Sequence, residues 1–312
     1  SDTLGLLSRE FAYLLCEGAN GWWFQMGKGW YHHEPILELF RKQQELGEAA
    51  LGFERAQESD IAAVVDLESV LKGPPFGVTT RLLDSFKSQE LCRLGSPVAF
   101  WELDDLLSAS APRYKLYLFL NAFTLSDAKR KRIDERLRQG GAQLVWMYTA
   151  GLYNPDRKPE MASENIRELL GFGLGMEAGE RLHVEMKLTP EGATLFAGFD
   201  PQRVFGSVER PDWVADGVNG GFKEQQPQTP TLRGRFFGSG EGVVLARYTP
   251  GGLPSIVMRQ GAASADLWIG SAMAPADLLR TLARRAGCHL YCDGDEIIYA
   301  NRSFLAIHAR AP

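Results

Sequence analysis

The chain has 312 residues, 45% of them hydrophobic and 23% charged, with a formal net charge of −5. That length can bury a substantial core, and the negative balance disfavours generic binding to nucleic-acid phosphates or anionic lipid headgroups. No apolar run approaches the roughly 20 residues of a helical membrane span, and four cysteines (Cys16, Cys92, Cys288, Cys292) give no disulfide framework at this size.

Residues 3–16 read as an amphipathic helix with Leu6, Leu7, Phe11, Leu14 and Leu15 on one side, broken by Gly18 and Gly21. Trp22–Met26 then reads as a short strand running into a glycine-rich loop, and Pro35 opens a second helix through about Gly47. Three of the seven tryptophans, Trp22, Trp23 and Trp30, fall in this window. They make either a buried aromatic layer or a sugar platform, since indole faces stack on the apolar faces of pyranose rings. A helix–strand–helix segment cannot close its own core, so residues 1–50 are expected to pack on the domain over 61–285 or to be poorly ordered.

After a charged linker, Ile61–Val65 is the first strand of a sheet, a helix follows near 81–94, and Val98–Trp101 is the second strand. The organising stretch is Tyr114–Gly151. Leu116–Leu120 is apolar at every position, Ser126 and Asp127 can cap a helix carrying Ile133 and Leu137, and Gly140-Gly141 stops it before the strand Gln143–Tyr148. This is a β-α-β unit, and strands buried on both faces imply a doubly wound parallel sheet. Ser163 caps a further helix to Leu170, 217–230 reads as a mobile loop, and 243–247, 255–259 and 267–269 form a β-rich return. A last helix, 276–286, precedes strands at 289–292 and 296–300 joined by an Asp-Gly-Asp turn, with 304–309 as a candidate third.

Chemistry is sparse. Parallel sheets place ligands at the carboxyl ends of strands, where this chain sets Asp66, Glu68, Glu102, Asp104, Asp105, Asn121, Tyr148 and Thr149. Asp66-Leu-Glu-Ser69 is acidic where a phosphate cradle would stand, which disfavours dinucleotide and flavin binding, and helix capping accounts for Asp104 and Asp105. The turn Thr149–Leu152 has the outline of a nucleophile elbow without Cys or Ser at its apex. Glu17 and Glu34 flank the aromatic stretch, yet each has a surface or helix-end explanation, so neither is taken as a glycosidase acid. Cys288-His289-x-x-Cys292 offers three soft ligands, but zinc needs a fourth; no metal or cofactor is expected.

Several separated stretches resemble one family. Gly18-Ala-Asn-Gly-Trp-Trp-Phe-Gln-Met26 is similar to the eighth barrel strand of glycoside hydrolase family 42 and related β-galactosidase-like proteins. Asp104-Asp105-Leu-Leu, Leu118-Phe-Leu-Asn121 and Leu144–Gly151 resemble their trimerisation domain, which is flavodoxin-like and related to class I glutamine amidotransferases without their nucleophile. Leu278-Leu-Arg280 through Ile298-Tyr-Ala-Asn-Arg302 resembles the boundary with their small C-terminal β domain. The resemblance implies an α/β fold in three parts: a barrel remnant over 1–55, a flavodoxin-like domain over 56–286, and the start of the β domain over 287–312. It implies a retaining parent enzyme acting on β-galactosides, a cyclic trimer, and catalytic glutamates upstream of Ser1. The rim residues it assigns to substrate are Trp22, Gln25, Trp30 and His33. The alternative is a non-catalytic carbohydrate-binding or oligomerisation module.

Overall fold

The computed structural model describes residues 2–24, 27, 29, 32–72, 79, 81–206, 213–216, 221–224, 231–259 and 266–309. Two helices lead, α1 (Asp2–Cys16) and α2 (Glu34–Ala50). The sheet begins with β1 (Ile61–Val65), followed by α3 (Leu67–Lys72), α4 (Phe86–Gln89) and β2 (Val98–Glu102). Next come α5 (Leu103–Leu106), β3 (Leu116–Phe119), α6 (Asp127–Ile133, continued by a π turn over Asp134–Arg138), β4 (Gln143–Met147) and α7 (Ser163–Leu170). A long excursion carries β5 (Gly173–His183), β6 (Met186–Leu188), α8 (Pro190–Leu195), β7 (Trp213–Asp216), β8 (Gly221–Glu224), β9 (Thr231–Ser239), β10 (Val243–Tyr248) and β11 (Pro254–Met258). The chain closes with β12 (Asp266–Ile269), α9 (Ala276–Arg285), β13 (Ile297–Ala300) and β14 (Leu305–His308).

Eight strands form one sheet in the order β2-β1-β3-β4-β12-β11-β10-β6. The first five run parallel and the last three are added antiparallel. Side chains alternate across a strand, and here both faces are covered. Ile61, Leu116, Leu118, Val145, Met147, Leu267 and Ile269 pack with Leu82, Phe86, Leu278 and Leu282 on one side. Ala62, Val64, Tyr117, Phe119, Leu144, Trp146 and Trp268 pack with Leu103, Leu106, Ile133, Leu137, Ile166 and Leu169 on the other. Phe119 and Trp146, neighbours on adjacent strands, stack at 3.9 Å between ring centres. The apolar runs read from the sequence are therefore buried because two helical layers sandwich them, as expected of an α/β fold.

Local signals were followed in most places and overridden in a few. Ser126 caps α6, its side chain accepting from Lys129 N at 3.2 Å. At α7 the cap position belongs to Ala162 rather than Ser163, which is already helical; Gly171 ends that helix in the left-handed conformation at φ +79°. Residues 289–292 form no strand, and β13 pairs instead with β14. The 288–295 segment is held by other bonds: Tyr291 N donates to Gly95 O, and the buried Arg280 guanidinium donates to Arg93 O, Asp293 O and Gly294 O. Within 217–230, β8 is a strand, and the other positions lie outside the described residues.

The helical pair at the N-terminus docks on the C-terminal hairpin. Asn301 Nδ2 donates to Cys16 O at 2.9 Å, Tyr13 and Tyr299 rings meet at 5.1 Å, and Arg302 reaches Glu54 and Glu58. Trp22–Phe24 form no strand. A strand needs a neighbour for its N–H and C=O groups, and here Trp23 turns instead to α2, stacking on Phe40 at 5.3 Å and donating to Gln43 Oε1 at 3.2 Å. Among the described residues no helix is long and apolar enough to cross a membrane.

Removing the central ring stack is the sharpest test of this packing. Phe119→Ala is expected to lower unfolding free energy by about 3–5 kcal/mol in urea titrations. Phe100→Ala, on the sheet's edge strand with a 37% exposed ring, is expected to cost about 1 kcal/mol or less.

Candidate functional site

The carboxyl ends of β1, β2 and β3 converge on a polar cluster. Asp66 follows β1 and is fully buried. Its backbone pairs with the Asn121 side chain on both groups, N to Oδ1 at 2.8 Å and O from Nδ2 at 3.0 Å. Its Oδ2 accepts from Ser69 N at 2.8 Å and from the Ser69 hydroxyl. Ser69 Oγ in turn accepts from Phe123 N at 3.0 Å and Thr124 N at 2.8 Å. Lys129, from the first turn of α6, completes the cluster with Nζ 2.9 Å from Asp66 Oδ1, 3.3 Å from Asp104 Oδ2 and 3.6 Å from Glu68 Oε2. Burial works against the Lys129 charge, but the Asp66 bond and the Asp66 and Asp104 charges outweigh it and raise its pKa. Glu68 is held below the usual carboxylate range by its bond to Lys72 against some burial, with Lys129 adding to the effect.

The expected capping role moves by two residues. Glu102 caps α5 by accepting from Asp104 N and Asp105 N, which frees Asp104 to face Lys129. The result is a hydrogen-bonded, charge-compensated network whose polar atoms are largely spent on one another. It can fix the loops around the strand ends.

The elbow after β4 is strained one residue earlier than its sequence outline suggests. Tyr148 has φ +53°, and among the described residues it is the one non-glycine with positive φ. Trp268 Nε1 donates to its carbonyl at 2.6 Å and its N–H donates to Ile269 O at 2.8 Å, so β12 holds the conformation. The ring packs edge-on against Phe123 and Phe236, and burial pushes its hydroxyl up to about 12. A phenol so held is a plug at the apex where acyl chemistry would need a thiol or hydroxyl nucleophile.

A groove lies between α1 and α2, with a volume of about 760 Å³ and Trp22, Trp23, Phe40 and Gln43 in its wall. Trp22 is 76% exposed and its ring meets that of Phe24 edge-on at 5.1 Å. Of the four residues assigned to a substrate rim, Trp22 stands in this groove and His33 is exposed at the N-cap of α2 without a side-chain cap bond. Gln25 and Trp30 lie outside the described residues. Glu34 is exposed in the first turn of α2. Cys288 Sγ faces Asp60 O and Cys292 Sγ faces Gly294 O. Among the described residues no cluster of three His, Cys, Asp or Glu is arranged for a metal. Two features escaped the sequence reading: Lys129, and the backbone strain at Tyr148, a residue it places at a strand end. The first was signalled only by its place in the opening turn of the β3–β4 crossover helix, the second by nothing local.

No family model and no curated protein matches the chain. Solved structures do. A β-galactosidase from Rahnella sp. R3 superposes with a TM-score of 0.55 at 16% identity, over 85% of this chain and 37% of that one. A β-galactosidase from Bacillus circulans sp. alkalophilus gives 0.54 at 15%, over 88% and 39%. A β-galactosidase from the haloarchaeon Halorubrum lacusprofundi gives 0.52 at 15%, over 84% and 36%. This chain thus has a β-galactosidase-like α/β fold and spans less than two fifths of the length of these proteins.

Three outcomes follow from the polar cluster and the buried tyrosines. Lys129→Met leaves the buried Asp66 carboxylate uncompensated and is expected to cost about 3 kcal/mol or more. Asp104→Asn, at a 56% exposed partner, should cost under about 1 kcal/mol. The folded-state pKa values of Lys129 and of Tyr148 and Tyr299, both tyrosines pushed up to about 12 chiefly by burial, lie above their unfolded values. The stability they contribute is complete below about pH 10 and is lost as pH rises above it, for the two tyrosines toward about 12. Denaturant midpoints across that window, followed with tyrosinate absorbance, check the sign.

Proposed function

We propose that the chain is a C-terminal, assembly-forming portion of a β-galactosidase-like retaining glycoside hydrolase acting on β-galactosides or related oligosaccharides. The observation that supports this most is the pattern of coverage. The fold likeness takes in 84 to 88% of this chain but only 36 to 39% of each β-galactosidase. On this reading residues 1–55, with α1 and α2, are the remnant of a (β/α)₈ barrel wall. Residues 56–286 are a flavodoxin-like trimerisation domain, and 287–312, with β13 and β14, begin a small β domain. The strand order β2-β1-β3-β4-β12 is the 2-1-3-4-5 order of flavodoxin-like sheets, which favours the middle assignment. The aromatic plug at Tyr148 suits an amidotransferase-like framework that does no acyl chemistry.

The chemistry of the parent would come from two glutamates upstream of this chain, one as acid/base and one as nucleophile. This chain would supply the rim residues Trp22, Gln25, Trp30 and His33 and a surface for a homo-oligomer, a trimer by analogy. A second reading, a carbohydrate-binding or oligomerisation module with no catalytic partner, draws on one specific feature. Trp22 holds an indole face open to solvent beside a groove large enough for a sugar.

The 312-residue chain is expected to leave nitrophenyl β-galactoside intact while its tryptophan fluorescence is quenched by galactosides. Trp22→Ala should weaken that quenching about fivefold, the equivalent of losing one stacking contact. Hydrolysis by the chain alone, or an absence of quenching, would contradict the proposed division of labour.

A further inference from the structure

A second groove shares only Glu10 and Tyr13 with the first. It is built from three segments remote in sequence: α1, residues 84–100 with the edge strand β2, and the hairpin strand β13. Its volume is about 320 Å³, at the small end of the range for ligand pockets and suited to one ring rather than a chain of them.

Three aromatic side chains frame it. Tyr13 and Tyr299 meet at a tilt of 59°, and Phe100 stands 37% exposed on β2. Lys87 is held among them, with Nζ donating to Tyr13 Oη at 3.2 Å and lying 4.6 Å from the centre of the Phe100 ring. An ammonium has three donors, and among the described residues Lys87 makes this one hydrogen bond. Acceptors stand around it. Glu17 and Asp84 line the groove and, among the described residues, neither carboxylate accepts a hydrogen bond. Glu10 is tied to Arg9 at 2.6 Å. Burial pushes the Glu17 carboxyl up, with the Lys87 charge pulling the other way.

The balance of groups selects the ligand. A simple anion would meet three carboxylates, a simple cation would meet Lys87 and Arg9, and a purely apolar molecule would strip water from all of them at a cost. A neutral ring bearing several hydroxyls can donate to Glu17 and Asp84, accept from Lys87, and lay its C–H face on an aromatic side chain. We infer that this groove is a second pyranoside site, separate from the Trp22 groove and read by Lys87, Phe100 and the Glu17–Asp84 acceptors.

Calorimetric titration of the 312-residue chain with methyl β-galactoside tests the assignment. In the Trp22→Ala chain one class of binding should keep its full affinity while the other weakens, and adding Phe100→Ala or Lys87→Met should weaken that kept class at least about fivefold, as expected for the loss of one ring contact or one donor. Both second substitutions are at partly exposed positions, and unchanged thermal unfolding confirms that the variants fold. Loss of all binding in Trp22→Ala, or equal affinity with and without Phe100 and Lys87, would overturn the inference. Binding that Phe100→Ala weakens and Trp22→Ala leaves untouched would keep this site while removing the Trp22 groove from the proposed function.

Discussion

The pairing of Asp66 with Lys129 holds the carboxyl edge of the sheet together, and the surrounding loops and helices are placed by it. Strands apolar on both faces have no solvent side on which to shed polar groups, so every backbone and side-chain polar atom must be met where the strands end. At the carboxyl edge that duty falls on a fully buried carboxylate, an asparagine, a serine and one lysine. Asn121 locks the end of β3 to the end of β1, Ser69 gathers the loop that follows β3, and Lys129 ties α6 back across the same point. A buried carboxylate is tolerated because its partners are all present; remove the ammonium and the network becomes a liability.

Arginines do comparable work at two other seams, and without a carboxylate in the lead. Arg130 donates to Leu125 O, Gly151 O and Asn165 O, joining the loops after β3 and β4 to the start of α7. Arg280 gathers the carbonyls of 93, 293 and 294, fixing the approach to the C-terminal hairpin. Five donors in a rigid plane suit such scattered carbonyls better than a lysine would. The Arg280 seam ties residue 93 to 293–294, next to two of the three segments, 84–100 and 297–300, that line the small polar groove.

How much of this could be read in advance depends on range. The strands 61–65, 98–101, 116–120 and 143–148 were legible because each is a short apolar run between turn or cap residues. Ser126 was legible as a cap because capping is decided within three residues. The strand expected at 22–26 was not a local error of propensity. Trp22 and Trp23 suit a strand, but among the described residues no neighbouring strand receives them, and Phe40 and Gln43 offer Trp23 a better place. The strand expected at 289–292 gave way to carbonyl bonds from Arg280 and to Gly95, again made far along the chain. Lys129 and the strain at Tyr148 are of the same kind: each follows from which strands become neighbours. For the site, the sequence left Trp22 open between a buried aromatic layer and a sugar platform, and said nothing of the groove around Lys87, whose walls meet only after folding.

In the proposed division of labour this fold carries assembly and sugar contacts, while bond cleavage is done by carboxylates elsewhere in one polypeptide. It is tested most directly by the intact mass of the native gene product, taken together with its activity on nitrophenyl β-galactoside. A product substantially longer than this chain that cleaves the substrate, beside a 312-residue chain that does not, is the expected result. A native product of 312 residues with no activity would contradict that division and leave a binding or assembly module in its place.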